Sequence, residues 1–261
     1  MIWLMGRIYR RVFGAIGQLA ELNAVRNPRR TAATASALMI GLTLVTFLAT
    51  LGSTMKTSTA QLVRSNMRAD YVAQNVNGAP FSPAVGDAMV KIHGVASVAR
   101  MRYAKAKVGG EDQNVTVMDA SSFNKIVAQE ISSGSLAAYS GNSLIVDQET
   151  ANKHSWKAGD SLSTDIAGQH LKLTVAATYT TPQNGHRGVF IPLTVAAAAG
   201  VPQVDYLLGV ARTPASDPGT VRAELEKVVA SMPLVTVYSP EEYAKQQSAY
   251  IDTLLNLLYA L

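Results

Sequence analysis

The side chains that could do chemistry in this chain are few and widely spaced. His93, His154, His170 and His186 are its only histidines, and none stands in an HExxH or i,i+4 pair that would hold a metal. There is no cysteine, which removes disulfides, thiolate catalysis, iron–sulfur clusters and cysteine-ligated zinc together. No G-x-S-x-G occurs, and no Ser-x-x-Lys stands in a nucleophile setting. Gly52-Ser53-Thr54-Met55-Lys56-Thr57 faintly resembles a phosphate loop, but the glycine before the lysine is missing. Asn184-Gly185-His186-Arg187-Gly188 is polar and turn-like, and is expected at a hairpin tip. The residues thus point to no catalytic, cofactor-binding or metal site, and away from an enzyme.

The elements that carry these residues are set by where the charges lie. The chain has 261 residues, 48% of them hydrophobic, with 23 Lys+Arg against 18 Asp+Glu. That apolar content excludes a disordered chain. Between Arg30 and Lys56 lie 25 consecutive uncharged positions, rich in Leu, Ile, Val and Ala. A bilayer core needs about 20 such residues in a helix. Residues 31–56 are therefore read as a transmembrane helix. A cleaved signal peptide fits poorly, because the run starts late and exceeds an h-region of about 7–15 residues.

The flanks give the orientation. Arg7, Arg10, Arg11, Arg26, Arg29 and Arg30 precede the span with only Glu21 against them, whereas 17 basic residues face 17 acidic ones from Lys56 onward. The positive-inside rule puts the N-terminus in the cytoplasm and the bulk of the chain outside. The net charge of +5 is then a topology and headgroup signal, with no nucleic-acid partner required.

Residues 1–30 are expected to form a cytoplasmic amphipathic elbow. Ile8, Val12, Ile16 and Leu19 recur at helical spacing opposite Arg7, Arg10, Arg11 and Gln18, with Trp3 as an interfacial anchor. Gly14 and Gly17 weaken that helix and favour a bend. Asn27-Pro28 marks a break, since a residue before proline disfavours the α region. Arg26, Asn27, Pro28, Arg29 and Arg30 form the membrane-interface elbow, with the arginines placed to meet lipid phosphates.

At the far end, Ser239-Pro240-Glu241-Glu242 is a helix start, with serine as N-cap, proline at the first position and Glu242 three residues after the serine. The predicted stalk helix carries Tyr243 and Tyr250 onward, with Asp252 its last charge. The remaining nine residues give about 14 Å of helix, short of a hydrocarbon core of about 30 Å. Residues 251–261 are read as the start of a second transmembrane helix, and the chain as a fragment of a longer membrane protein.

Between the spans, residues 57–250 form an extracytoplasmic region of α+β class. Ala69–Ala73 reads as a strand, Ser82-Pro83 opens a helix with Val85, Met89 and Ile92 on one face, and 95–108 is a strand or bent pair ended by Gly109-Gly110. The same β–α–β order returns in Tyr206–Ala211, a helix opened by Asp217-Pro218, and Leu234–Tyr238. These two units pair only if the chain between them leaves and comes back. That middle part is β-rich, with strands at 143–146, 161–164, 171–176 and 188–192, a brief helix through Thr150 and Asn152, and an alanine-rich helix at 194–199. It is read as an inserted β lobe, roughly 113–203, on a ferredoxin-like or split α/β lobe, with Trp156 as one of its packing residues.

The run Leu22-Asn23-Ala24-Val25-Arg26-Asn27-Pro28-Arg29-Arg30-Thr31-Ala32-Ala33-Thr34-Ala35-Ser36-Ala37-Leu38-Met39-Ile40-Gly41-Leu42 resembles the opening of a transmembrane unit in FtsX-like ABC transporter permeases of actinobacterial type. The outer region resembles the MacB-like periplasmic core domain, with a Porter-like α/β lobe and an inserted Sabre-like β-rich lobe. Leu255-Asn256-Leu257-Leu258-Tyr259-Ala260-Leu261 resembles the start of that family's next helix. The resemblance implies a non-catalytic permease subunit of the bacterial cell membrane, without a cofactor of its own. It would couple a cytoplasmic ABC ATPase to an outer domain, for export or extraction of lipids, lipoproteins, peptides or drugs. Its expected partners are that ATPase, membrane lipids and a second permease unit. The alternative class is a transmembrane sensor or receptor with an extracytoplasmic ligand-binding domain, and a membrane-anchored scaffold is a third.

Overall fold

The computed structural model describes residues 13–16, 18, 19, 22, 26–126, 129–180 and 188–259. The predicted apolar positions Ile8 and Val12, Trp3, and the hairpin tip at 184–187 lie outside the described residues, as does Leu261. Two compact units are present. Residues 1–56 with 251–261 make one, and 57–250 make the other.

The first helix, α1 (Pro28–Asn66), runs 39 residues without interruption. It starts where proline removes a donor that a first turn cannot use, and the Thr31 amide bonds to the Asn27 carbonyl at 3.1 Å. Its hydroxyls turn back onto its own backbone. Thr50 donates to the Thr46 carbonyl at 2.8 Å and Thr54 to the Thr50 carbonyl at 2.9 Å, so these two hydroxyls need no water. Leu38, Ile40 and Leu42 are 74%, 69% and 66% exposed, an apolar surface that water does not tolerate at this extent. The most apolar 18-residue stretch within Pro28–Gln61 has a mean hydropathy of 1.9, and this is the one helix among the described residues long and apolar enough to cross a membrane.

Among the described residues, the second unit is built on one mixed sheet of ten strands. β1 (Tyr71–Asn75), α2 (Ala84–Met89) and β2 (Val95–Val108) form its first β–α–β unit, and β9 (Leu207–Arg212), α6 (Pro218–Val229) and β10 (Val235–Tyr238) its last. Their strands lie in the order β10-β1-β9-β2, all antiparallel, which is the ferredoxin-like arrangement with a long insertion between its second and third strands. Tyr71, Ala73, Leu208 and Val210 of the sheet bury against Val85 and Met89 of α2 and Val221, Leu225 and Val229 of α6. Asp217 caps α6 by accepting from the Thr220 amide at 2.7 Å, as the Asp-Pro pair implies.

The insertion is a small closed barrel. β2 turns through Gly109-Gly110 into β3 (Glu111–Val117), and both glycines take positive φ, 58° and 94°, as a tight hairpin of this twist requires. β3 pairs with β8 (Val189–Ile191), β8 with β5 (Ser143–Asp147), and β5 with β7 (Gln169–Thr180). β6 (Ser161–Ile166) then pairs with β7 on one side and β2 on the other, closing the ring. Val108, Val115, Val117, Leu144, Val146, Leu162, Ile166, Leu173, Val175, Val189 and Ile191 fill it. Ala151 of α4 (Gln148–His154) and Val195 of α5 (Leu193–Ala198) join that core. Closure gives each of these six strands a partner on both sides.

Among the described residues, the sequence pattern does not announce β3, α3 (Ala120–Ile126), β4 (Glu130–Gly134), which lies along β7, or a 3-10 turn at Leu136–Ala138. The β-rich lobe also starts earlier than residue 113. β2 is one continuous strand that changes partner between Met101, which faces Leu207 of β9, and Arg102, which faces Val117 of β3.

Candidate functional site

The last helix, α7 (Pro240–Tyr259), begins with a reciprocal cap. The Ser239 hydroxyl accepts from the Glu242 amide at 3.2 Å, and the Glu242 carboxylate accepts from the Ser239 amide at 2.8 Å. The other carboxylate oxygen takes Arg222 Nη1 of α6 at 3.0 Å, and Arg222 also bonds to Glu226 at 2.8 Å. The Ser239 amide, and next Arg222, hold the Glu242 carboxyl below its usual range, because each favours its charged form. One turn on from Ser239, the Tyr243 ring stands 6.4 Å from Tyr238 and packs on a third core of the unit. Tyr250 lies further along α7.

The chain just past α1 reaches the same core. Met67 packs on it, and the Arg68 amide donates to the Ile126 carbonyl at the end of α3 at 3.0 Å. Phe123 of α3 meets the rings of Phe190, Tyr179 and Tyr139 at 5.2, 5.6 and 6.4 Å. This core is shared by both lobes. Val72, Ala99 and Leu207 come from the ferredoxin-like sheet, while Ile145, Tyr179 and Phe190 come from the barrel. Gly209 lets α3 lie flat on β9, since a Cβ there would stand 2.6 Å from Ile126 Cγ1. Burial raises the Tyr139 and Tyr179 hydroxyls above the usual tyrosine value, and each donates to a carbonyl, of Met118 at 2.7 Å and of Gly188 at 3.1 Å. Sequence reasoning missed α3 as a part of this junction. Its signal is Asp119 ahead of Phe123 and Ile126, an N-cap type followed by two apolar residues three apart.

The elbow residues fall at the start of α1, where Asn27 precedes the helix, Pro28 opens it and exposed Arg29 and Arg30 fill its first turn, with Arg26 exposed just before it. Ser239, Glu242 and Tyr243 belong to the other unit. Gly52–Thr57 is helical throughout, inside α1, and forms no loop around a phosphate. His154 stacks on Trp156 at 4.6 Å and approaches Glu111 at 3.4 Å, whereas His170 pairs with Asp165 at 3.0 Å in another part of the barrel. Among the described residues no group of three potential metal ligands comes together.

A helix fit to cross a membrane and a ferredoxin-like sheet with an inserted barrel fit a membrane protein with an extracytoplasmic domain. The family described as the MacB-like periplasmic core domain matches residues 31–228, and the chain belongs to it. Among solved structures, the periplasmic region of MacB from Actinobacillus actinomycetemcomitans is similar at 10% identity and a TM-score of 0.53, covering 69% of this chain and 92% of that one. The extracellular domain of the noncanonic ABC-type transporter YknZ from Gram-positive bacteria is 13% identical, with a TM-score of 0.47, covering 66% and 99%. A search of curated proteins finds no match. The chain thus carries the MacB-like periplasmic domain of an ABC transporter permease-type protein, a kind of protein that works with cytoplasmic ABC ATPases.

Proposed function

We propose that this chain is the non-catalytic permease part of an ABC transporter and that α1 and α7 act as stalks between a cytoplasmic ATPase and the outer domain. The observation that carries this reading is the shared seat of the two helices. Met67, the residue that follows α1, and Tyr243 in the second turn of α7 pack on one core, and that core belongs to both lobes. A displacement along either helix would therefore act on the ferredoxin-like sheet and the barrel together. Continuous helices suit that task because their backbone bonds resist bending, and α7 has neither Gly nor Pro after Pro240. The movement would be a hinge or shear change of the outer domain, not passage of substrate through a pore.

In this reading Arg26–Arg30 form an elbow at the cytoplasmic headgroups, residues 251–261 begin a second span, and two permease units make one transporter. The cargo class is lipids, lipoproteins, peptides or drugs. Inserting Gly-Gly after Ser248 in the full-length permease tests the mechanism. Expression and ATPase binding should persist while hydrolysis is uncoupled from cellular function. An insertion mutant with unchanged function would reduce the stalk to a tether.

A further inference from the structure

β2 is the strand common to the ferredoxin-like lobe and the barrel, and its chemistry changes where it crosses between them. On one of its faces Val98 packs with the core under α2 and α6, and Ala104, Ala106 and Val108 pack with the barrel core. Between them stand Arg100 and Arg102. The returning chain, just before β9, supplies Asp205, whose side chain is fully buried. Asp205 Oδ1 accepts from Arg102 Nε at 2.6 Å, and Oδ2 accepts from Arg100 Nη1 at 3.2 Å. Arg100 further bonds to the Asp87 carboxylate and to the Pro83 carbonyl at 3.1 Å, and Arg102 to the Gln203 side chain. The backbone of Asp205 exchanges bonds of 2.9 and 3.0 Å with Phe81.

Both chain crossings between the lobes are thus tied to each other by charge. The opposite face of β2 is apolar there, with Ala99 and Met101 in the core that both lobes share. Apolar contact is non-directional and tolerates sliding, whereas arginine–carboxylate bonds fix angle and distance. A buried ion cluster seldom stabilises better than apolar residues of the same volume, so its contribution here is to select one arrangement.

We propose that Arg100, Asp205 and Arg102 form a hinge clasp that holds the barrel at one angle to the ferredoxin-like sheet, and that releasing it lets the lobes shift about β2. The proposal stands apart from any transport activity.

The cysteine-free chain allows a direct test in lipid nanodiscs with pairs of nitroxide labels. Cysteines at Gln169 and Ser231, both exposed, span the two lobes, and cysteines at Lys91 and Ser231 report within one. The parent should give a single narrow distance for each pair. Asp205→Asn should abolish the single distance across the lobes and leave the within-lobe distance narrow. Arg100→Gln, which keeps the buried Arg102–Asp205 pair, should fold like the parent and broaden the cross-lobe distance less; it decides alone if Asp205→Asn does not fold. The clasp is refuted if the cross-lobe distance stays narrow in every variant that folds or is already broad in the parent. It is refuted equally if both pairs broaden together, which would make the cluster a folding element of the lobe.

Discussion

Arg222 of α6 and Glu242 of α7 are joined at 3.0 Å, and the same carboxylate closes the cap of α7 through the Ser239 amide at 2.8 Å. One side chain thus ties the start of the last helix both to its own first turn and to the helix that covers the ferredoxin-like sheet. Cap and tie are separable by mutation. Ser239→Ala should cost about 1 kcal/mol, as N-cap losses do. Arg222→Ala, at a pair that is substantially exposed, should cost less than about 1 kcal/mol. A double-mutant cycle on denaturant midpoints measures the coupling, and strict additivity of Arg222→Ala with Glu242→Gln would remove the tie.

The same carboxylate predicts an acid limb. Its folded-state value lies below its usual 4.5, so the stability it contributes is present above that value and is lost as pH falls through the lower folded value. Thermal midpoints of the parent should therefore fall more steeply under acid conditions than those of Glu242→Gln. Asp217, also held low by its cap, is kept in both proteins and cancels from the comparison. Superimposable acid limbs would show that Glu242 contributes nothing there.

Gly209 is a packing glycine, and adding a methyl should be costly. Its Cβ would meet Ile126 Cγ1 at 2.6 Å and Ala69 Cβ at 3.3 Å. Gly209→Ala is expected to lose about 1–3 kcal/mol, the range for overpacking. Combined with Ile126→Ala it should lose less than the sum of the two, since the clash then disappears. A Gly209→Ala protein as stable as the parent would mean that α3 lifts off β9 freely.

At the alkaline end the shared core is the weak point. The Tyr139 and Tyr179 values are raised above 10.0 by burial, so the stability their neutral forms contribute is complete below that pH and is lost above it. Unfolding should track the rise in tyrosinate absorbance. Tyr139→Phe should cost about 1 kcal/mol near neutral pH, from the bond to the Met118 carbonyl, yet soften the alkaline loss. An unchanged alkaline limb in that variant would exclude Tyr139 as its source.

Topology is open to labelling because no native cysteine interferes. Single cysteines at Gln18 and Ser140, both exposed, should differ in intact cells. An impermeant thiol reagent is expected to reach Ser140→Cys and not Gln18→Cys. The reverse pattern would invert the orientation read from the arginines.

Much of the architecture was legible because its signals are local. A long uncharged run writes a membrane-compatible helix into composition alone, and Ser239-Pro240-Glu241-Glu242 states a helix start within four residues. The strands at both ends alternate or are bounded by glycine and proline, so their order already required the chain to leave and come back. β3 was hidden because it opens on Glu111-Asp112-Gln113-Asn114, four polar residues with no apolar alternation, and β4 because its exposed edge carries little apolar pattern. Only the tertiary structure decided that β6 closes the barrel onto β2, that Met67 and Tyr243 share one core, and that Asp205 lies between Arg100 and Arg102. Each of these joins residues far apart in the chain. No local propensity encodes such a pairing; it follows from which faces must be buried once the strands have found their partners.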